Sequence, residues 1–289
     1  MTFNNLKIAT IGCANNHTYN VEDLGSTPQI LTEIIEGSNK FCSTLENAKK
    51  PIMIIGDGVY SRVDANSILE NLHIIAEKYN FIEEGWNGFN VLHNDASTIG
   101  AISLGFTPIN QDFSAKNMAE KISSGDMEVL FLLGADEIMI PKDHKGFVIY
   151  IGHHGDSGAH IADVILPASA FTEKNATYIN NEGRVQKTQL AVLPPNKAVA
   201  DFEAILKVAV SLNIDLGFDD YKSLNIVLGK AIYELYKHDG KIKFTSTASK
   251  IKSDKISPRK INFHSSNSIS RNSVTMAACV KEFSTLGDS

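Results

Sequence analysis

Apolar positions along the first 150 residues follow two alternating rhythms. Leu6 to Gly12 reads as a short buried strand stopped by glycine. Ser26-Thr27-Pro28 is a helix-start signal, since Ser or Thr can cap free amides and Pro tolerates a first turn. The helix begun there places Ile30, Leu31, Ile34 and Ile35 on one face and stops at Gly37. Pro51 to Ile55 is a second strand, closing at Gly56-Asp57-Gly58. Ile68, Leu69, Leu72, Ile75, Ala76 and Tyr79 then recur at helical spacing, with Asp64 and Asn66 as capping candidates. Ala96 to Leu104 predicts a shorter helix, Glu128 to Leu133 the strongest strand, and Phe147 to Ile151 another. Strand, helix, strand, helix is the pattern of an α/β fold with a doubly wound, largely parallel sheet.

The pattern changes after 160. Val164-Ile165-Leu166 is a short strand ended by Pro167. Ala176 to Ile179 and Val185 to Ala191 flank Asn180-Asn181-Glu182-Gly183, a turn-rich stretch that suits a hairpin. Asp201 to Leu212 predicts a helix with Phe202, Ile205, Leu206 and Ala209 inward, and Ile226 to Tyr236 another. From 240 to 272 the chain is rich in Ser, Lys and Asn and predicts an irregular extended arm, before a short terminal helix over Val274 to Phe283. The expected organisation is an α/β domain over 1–236 and a basic extended arm with a terminal helix over 237–289.

With 289 residues, 43% of them apolar and 21% charged, the chain can bury a full core. Its longest apolar runs last a few residues, far short of the roughly 20 that span a bilayer, so no direct membrane span is expected. The 27 basic and 33 acidic residues exclude a generally basic nucleic-acid binder. The charge is unevenly spread. Residues 237–271 hold nine Lys or Arg against two Asp, a surplus of +7 on a chain whose total is −6. Such an arm lies on a partner, on its own body, or in solvent as a charged tail, and we expect neighbouring subunits to receive it. Cys13, Cys42 and Cys279 are far apart and odd in number, too few for the four thiolates of an iron–sulfur cluster or structural zinc site.

Candidate chemistry is thin. Gly56-x-Gly58 follows a strand, but position 61 is Ser rather than the third glycine of a dinucleotide loop. Gly134-Ala135-Asp136-Glu137 has no phosphate-loop Lys. His153, His154, Asp156, His160 and Asp163 crowd one loop with metal-ligand chemistry, yet Gly155 and Gly158 break any helix that would align them. Close backbone packing at a sheet edge explains those glycines more simply. Glu173, Glu182 and Arg184 can be drawn as an acid pair with an anion clamp, or as a structural corner. These readings assign no catalytic, cofactor-binding or metal residue.

At this loop and hairpin a resemblance becomes specific. Ile151-Gly152-His153-His154-Gly155-Asp156, Ile161-Ala162-Asp163-Val164-Ile165-Leu166-Pro167, Thr172-Glu173-Lys174-Asn175-Ala176-Thr177-Tyr178 and Asn181-Glu182-Gly183-Arg184-Val185-Gln186 resemble the large iron–sulfur subunit of respiratory complex I, often called its 75-kilodalton subunit. The Ala-Asp-Val-x-Leu-Pro and Asn-x-Glu-Gly-Arg-x-Gln patterns are shared more widely with molybdopterin oxidoreductases, so a fragment of a formate-dehydrogenase-like enzyme is one alternative, and a nucleotide-binding enzyme using the Gly56 loop is a second. The Gly-His-His-Gly-Asp block, with Ser268-Ile269-Ser270-Arg271 and Met276-Ala277-x-Cys279-Val280-Lys281, is similar to the mitochondrial complex I branch. The resemblance covers the C-terminal portion of that subunit, from about residue 6 to 283. It implies a molybdopterin-oxidoreductase-type α/β fold used as scaffold, in a split subunit whose Cys-rich N-terminal half is a separate chain. It further implies 2Fe–2S and 4Fe–4S clusters and FMN in partner subunits of the peripheral arm, on the matrix side of the mitochondrial inner membrane. The wealth of Asn, Ile and Lys and the lack of a transit peptide fit an organelle-encoded gene.

Overall fold

The computed structural model describes residues 6–12, 17–60, 62–237, 251–256 and 262–284. Its contacts group the chain into two units: residues 1–98 with 181–184 and 239–260, and residues 99–180 with 185–238 and 261–289.

In the first unit, β1 (Ala9–Thr10) pairs in parallel with β2 (Glu22–Asp23). The strand expected over Leu6 to Gly12 shrinks to two residues. Helix α1 (Gln29–Glu36) buries Ile30, Leu31 and Ile34, as the periodicity predicts. Its N-cap is Pro28, with no side-chain cap, so Ser26 and Thr27 do not play the capping role expected of them. Gly37 ends the helix at φ 83°, a left-handed value that costs glycine little. The terminal carbonyls of α1 are taken up from α3 (Ala65–Lys78): the Tyr79 hydroxyl donates to Ile34 at 3.0 Å and Lys78 Nζ to Ile35 at 2.8 Å. Burial pushes the Tyr79 phenol up to about 12, which keeps it protonated as a donor.

Between these helices lie α2 (Cys42–Glu46) and β3 (Met53–Ile55). After α3, β4 (Ile82–Glu83) and β5 (Trp86–Asn87) form a small antiparallel hairpin. Strand β6 (Phe89–Val91) then returns parallel to β3, completing a βαβ unit. One apolar cluster joins the face of α1 to Cys42, Ile55, Ile68, Leu72, Ile75 and Phe81. Asp64 stands at the N-cap position of α3, but its carboxylate faces Arg62 at 2.8 and 2.9 Å and accepts from Lys252 N–H at 3.0 Å.

That last bond belongs to the arm, whose described residues 251–256 group with the first unit. Ile251 packs on the apolar cluster, Ile256 N–H donates to Ser26 at 2.7 Å, and Arg62 reaches the Lys255 carbonyl. Two isoleucines anchor an extended backbone that supplies amides to this chain's own surface. Arm residues 238–250 and 257–261 lie outside the described residues.

The second unit opens with α4 (Thr98–Ser103), whose first residue falls on the boundary, and α5 (Ala115–Ser124). Ser114 caps α5 by accepting from Asn117 N–H, and Gly125 ends it. Then come β7 (Val129–Leu133), β8 (Phe147–Gly152), α6 (Ser157–Ile161) and β9 (Val164–Pro167). The three strands form one parallel sheet in the order β7-β8-β9. On one face Leu130, Leu132, Val148 and Tyr150 pack with Ile122 of α5 and Ile140. On the other, Ile151 meets Ala168 and Ala204.

The expected hairpin is present as β10 (Ala176–Ile179) against β11 (Val185–Thr188). Helix α7 (Asp201–Ser211) buries Ala204 and Ala209, whereas Ile205, expected inward, is exposed. The chain continues through α8 (Tyr221–Lys237), α9 (Ser268–Arg271) and α10 (Val274–Ser284), which matches the terminal helix.

Candidate functional site at the carboxyl end of the parallel sheet

An open parallel sheet presents ligands to the carboxyl ends of its strands, where loops and helix N-termini converge. Here that edge is built by residues 134–137 after β7 and 152–158 after β8. Tyr150 is the centre of the arrangement. It sits inside an otherwise apolar strand, and its hydroxyl needs a partner once buried. That partner is the buried Asp136, 3.1 Å away through Oδ2, with the His154 carbonyl at 3.2 Å. Asp136 Oδ1 accepts from the Gly158 amide at 3.2 Å. Burial holds the Asp136 carboxyl above its ordinary value, partly offset by these two donors. Burial first, and then the neighbouring Asp136, raise the Tyr150 phenol as well.

Two glycines make room for the Tyr150 ring. A methyl group at Gly152 would lie 2.2 Å from it, and one at Gly158 would lie 2.7 Å from it and 2.9 Å from the Ala135 carbonyl. The close-packing account of the glycine-rich loop thus holds for Gly158, while Gly155 has nothing within 4 Å of an added Cβ. The expectation that Gly155 and Gly158 preclude a helix is corrected: residues 157–161 form a helical turn with Gly158 inside it.

The five metal-type residues of the loop go to separate tasks. Asp156 accepts from Ser157 N–H at the start of α6, and its other oxygen meets Arg271 Nε at 2.5 Å. Asp163 Oδ2 accepts from Val148 N–H at 2.8 Å, tying the start of β9 to β8. His153 and His154 bring their Nδ1 atoms within 2.6 Å. Partial burial, then the His154 and Lys174 charges, hold His153 below the usual imidazole value. His160 is exposed on the last turn of α6. Among the described residues no three His, Cys, Asp or Glu side chains converge as a metal site.

Elsewhere, Glu173 accepts from Ala170 N–H at 3.0 Å and closes a local turn. Glu182 and Arg184 group with the first unit and Glu173 with the second. Asp57, between Gly56 and Gly58, accepts from Asn94 Nδ2 at 2.6 Å. Two participants escaped sequence reasoning. Tyr150 was legible as a polar-tipped residue within an apolar run. Arg271, which also reaches Glu137 at 2.9 Å, stands in a motif of the resemblance, but it lies 115 positions beyond Asp156 and nothing local marked it as a partner of this loop.

The chain is thus an α/β protein made of parallel βαβ units, whose sheet edge is packed by its own Tyr, Asp and Arg side chains. It belongs to the molybdopterin oxidoreductase family, whose model matches residues 1–210. It is 42% identical over 282 residues to a subunit of the NADH-quinone oxidoreductase of Rickettsia felis. It is 40% identical over 284 residues to the NADH-ubiquinone oxidoreductase 75 kDa subunit of Reclinomonas americana. To the mitochondrial 78 kDa subunit of Candida albicans it is 39% identical over 297 aligned positions. These alignments cover 95–96% of this chain but only 39–40% of each relative.

The polar groups at this sheet edge are engaged with one another rather than presented to a ligand. Tyr150 fills the space between Gly152 and Gly158, and Asp136, Asp156 and Arg271 satisfy one another or the backbone. Of the two described thiols, Cys42 is buried in the first unit and Cys279 lies on α10 in the second.

Proposed function

We propose that this chain is a non-catalytic structural part of the peripheral arm of complex I. In this role it supports NADH-to-ubiquinone electron transfer that runs through iron–sulfur clusters and FMN held outside these 289 residues, in the Cys-rich part of the subunit and in neighbouring subunits. Its place is the matrix side of the mitochondrial inner membrane. The observation that carries the reading is the alignment of nearly the whole chain with relatives named as NADH-quinone and NADH-ubiquinone oxidoreductase subunits. The sheet edge supports it, because its polar groups are engaged in holding loops together. An α/β body of this kind contributes buried area and rigidity, and both keep cluster spacings fixed in an electron-transfer assembly. No helix among the described residues is long and apolar enough to cross a membrane, which accords with a peripheral position.

The test is a native separation of detergent-solubilised mitochondrial membranes, with this chain identified by mass spectrometry. Migration in the NADH-oxidising band, together with a Cys-rich polypeptide, is the expected result. Migration as a small species with bound pterin or nucleotide would overturn the proposal.

A further inference from the structure

Residues 251–256 reach the first unit from the far end of the sequence, and their contacts with it are of two kinds. One kind engages the backbone. Asp64 Oδ2 accepts from Lys252 N–H at 3.0 Å, Arg62 Nη1 donates to the Lys255 carbonyl at 3.0 Å, and the Ser26 carbonyl accepts from Ile256 N–H at 2.7 Å. The other kind is apolar and involves the two end residues. Ile251 packs on the cluster that holds Ile30, Ile68 and Leu72. A Cβ at Gly12 would lie 3.0 Å from Ile256 Cγ2, and φ there is 117°, so glycine both gives the room and accepts the conformation. Between these ends Lys252, Ser253, Asp254 and Lys255 are exposed.

The receiving side is a built one. Asp64 is buried, and a buried carboxylate is costly unless its oxygens are engaged. Arg62 Nε and Nη2 take Oδ1 and Oδ2 at 2.8 and 2.9 Å, and the Lys252 amide takes a second place on Oδ2. The same guanidinium turns its remaining nitrogen to the Lys255 carbonyl, a division of labour that a planar fork of donors allows and a lysine does not. Gly12 follows β1, Ser26 precedes α1, and Arg62 and Asp64 precede α3, so six residues tie together three loops of one unit.

From this arrangement we propose that Gly12, Ser26, Arg62 and Asp64 form a peptide-binding site in the first unit, selective for a segment with isoleucines five positions apart, and that residues 251–256 of the same chain are its ligand. Backbone hydrogen bonds set the register of the segment, and the two isoleucines supply the selectivity, the division found wherever an extended peptide docks on a folded surface. The four side chains between them are free to vary. Docked, the segment is a clasp that fixes the approaches to α1 and α3.

The test follows amide hydrogen exchange at positions 252 and 256 in the full 289-residue chain, corrected for intrinsic rates. Both amides should exchange at least tenfold more slowly than in a chain carrying Ile251→Ser and Ile256→Ser. Tryptic cleavage after Lys252 and Lys255 should accelerate at least tenfold in that same variant. A chain carrying Lys252→Ala, Ser253→Ala and Lys255→Ala should keep the wild-type protection within twofold. Asp254 is left in place there because its charge acts on Arg62. Unprotected amides in the wild type would overturn the proposal, and so would protection that survives loss of both isoleucines. Equal loss in the triple-alanine chain would overturn the selectivity claimed for the isoleucines. Protection that appears only as protein concentration rises would assign the site to the arm of a second copy and overturn the intramolecular clasp.

Discussion

Replacing Gly158 with alanine sets two physical effects against each other, and the structure decides the sign. Gly158 lies within a helical turn, where alanine is favoured over glycine by about 1 kcal/mol. The new methyl group, however, would sit 2.7 Å from the Tyr150 ring and 2.9 Å from the Ala135 carbonyl, well inside ordinary contact distance. Neither neighbour yields easily, since the ring is buried and the carbonyl belongs to the backbone. Overpacking of this kind costs about 1–3 kcal/mol, so the net effect is a loss of about 1–2 kcal/mol. Gly229, exposed in α8 with nothing within 4 Å of an added Cβ, provides the contrast. There the same substitution should stabilise by about 0.5–1 kcal/mol. Urea unfolding followed by far-ultraviolet circular dichroism reads both as shifts in midpoint. A Tyr150→Leu background should recover part of the Gly158→Ala loss, giving a coupling energy in a double-mutant cycle. If Gly158→Ala proved as stable as the wild type, the account of Tyr150 packed between two glycines would be wrong.

Ile122 is fully buried beneath the parallel sheet, and Ile122→Ala should destabilise the second unit by about 3–4 kcal/mol, measured by the same unfolding assay. Arg271→Ala removes the contacts to Asp156 and Glu137 that hold residues 262–284 to the second unit. At about 1 kcal/mol for a partly exposed pair, limited proteolysis of that segment should accelerate roughly fivefold. Unchanged cleavage would show that other contacts hold the segment. Two buried carboxylates, Asp64 and Asp136, should respond to acid with opposite signs. Arg62 holds the folded Asp64 carboxyl below its ordinary value near 4, so its contribution is present above that value and is lost as pH falls through the folded one. Asp136, raised by burial, contributes the reverse: stability grows as pH falls from its folded value toward about 4. Asp64→Asn should flatten the acid loss seen by Trp86 fluorescence, and Asp136→Asn should flatten the acid gain seen in stability of the second unit.

Local pattern specified most of the regular elements. The faces of α1 and α3, the strands β7, β8 and β9, and the β10–β11 hairpin are all legible, because each buries its apolar residues at the period of its own backbone. The shortest elements were not. Strand β6 has three residues and α2 five, too few for a period to show. The roles of polar side chains were the least legible. Asp64, at a capping position, instead joins Arg62 and the arm, and Asp156 meets an arginine from the far end of the chain. A hydrogen bond between residues 115 or 188 positions apart leaves no mark on either neighbourhood, since hydrogen-bond geometry depends on where the backbone finally lies.

By itself, then, the sequence determined the α/β class, the alternation of helix and strand, and the family, since hydrophobic period and motif are properties of contiguous residues. Tertiary structure alone decided that the glycine-rich loop is a bed for Tyr150, and that the described parts of the basic arm lie on their own chain. Each of these depends on distances between residues remote in sequence, and those distances exist only once the chain has folded.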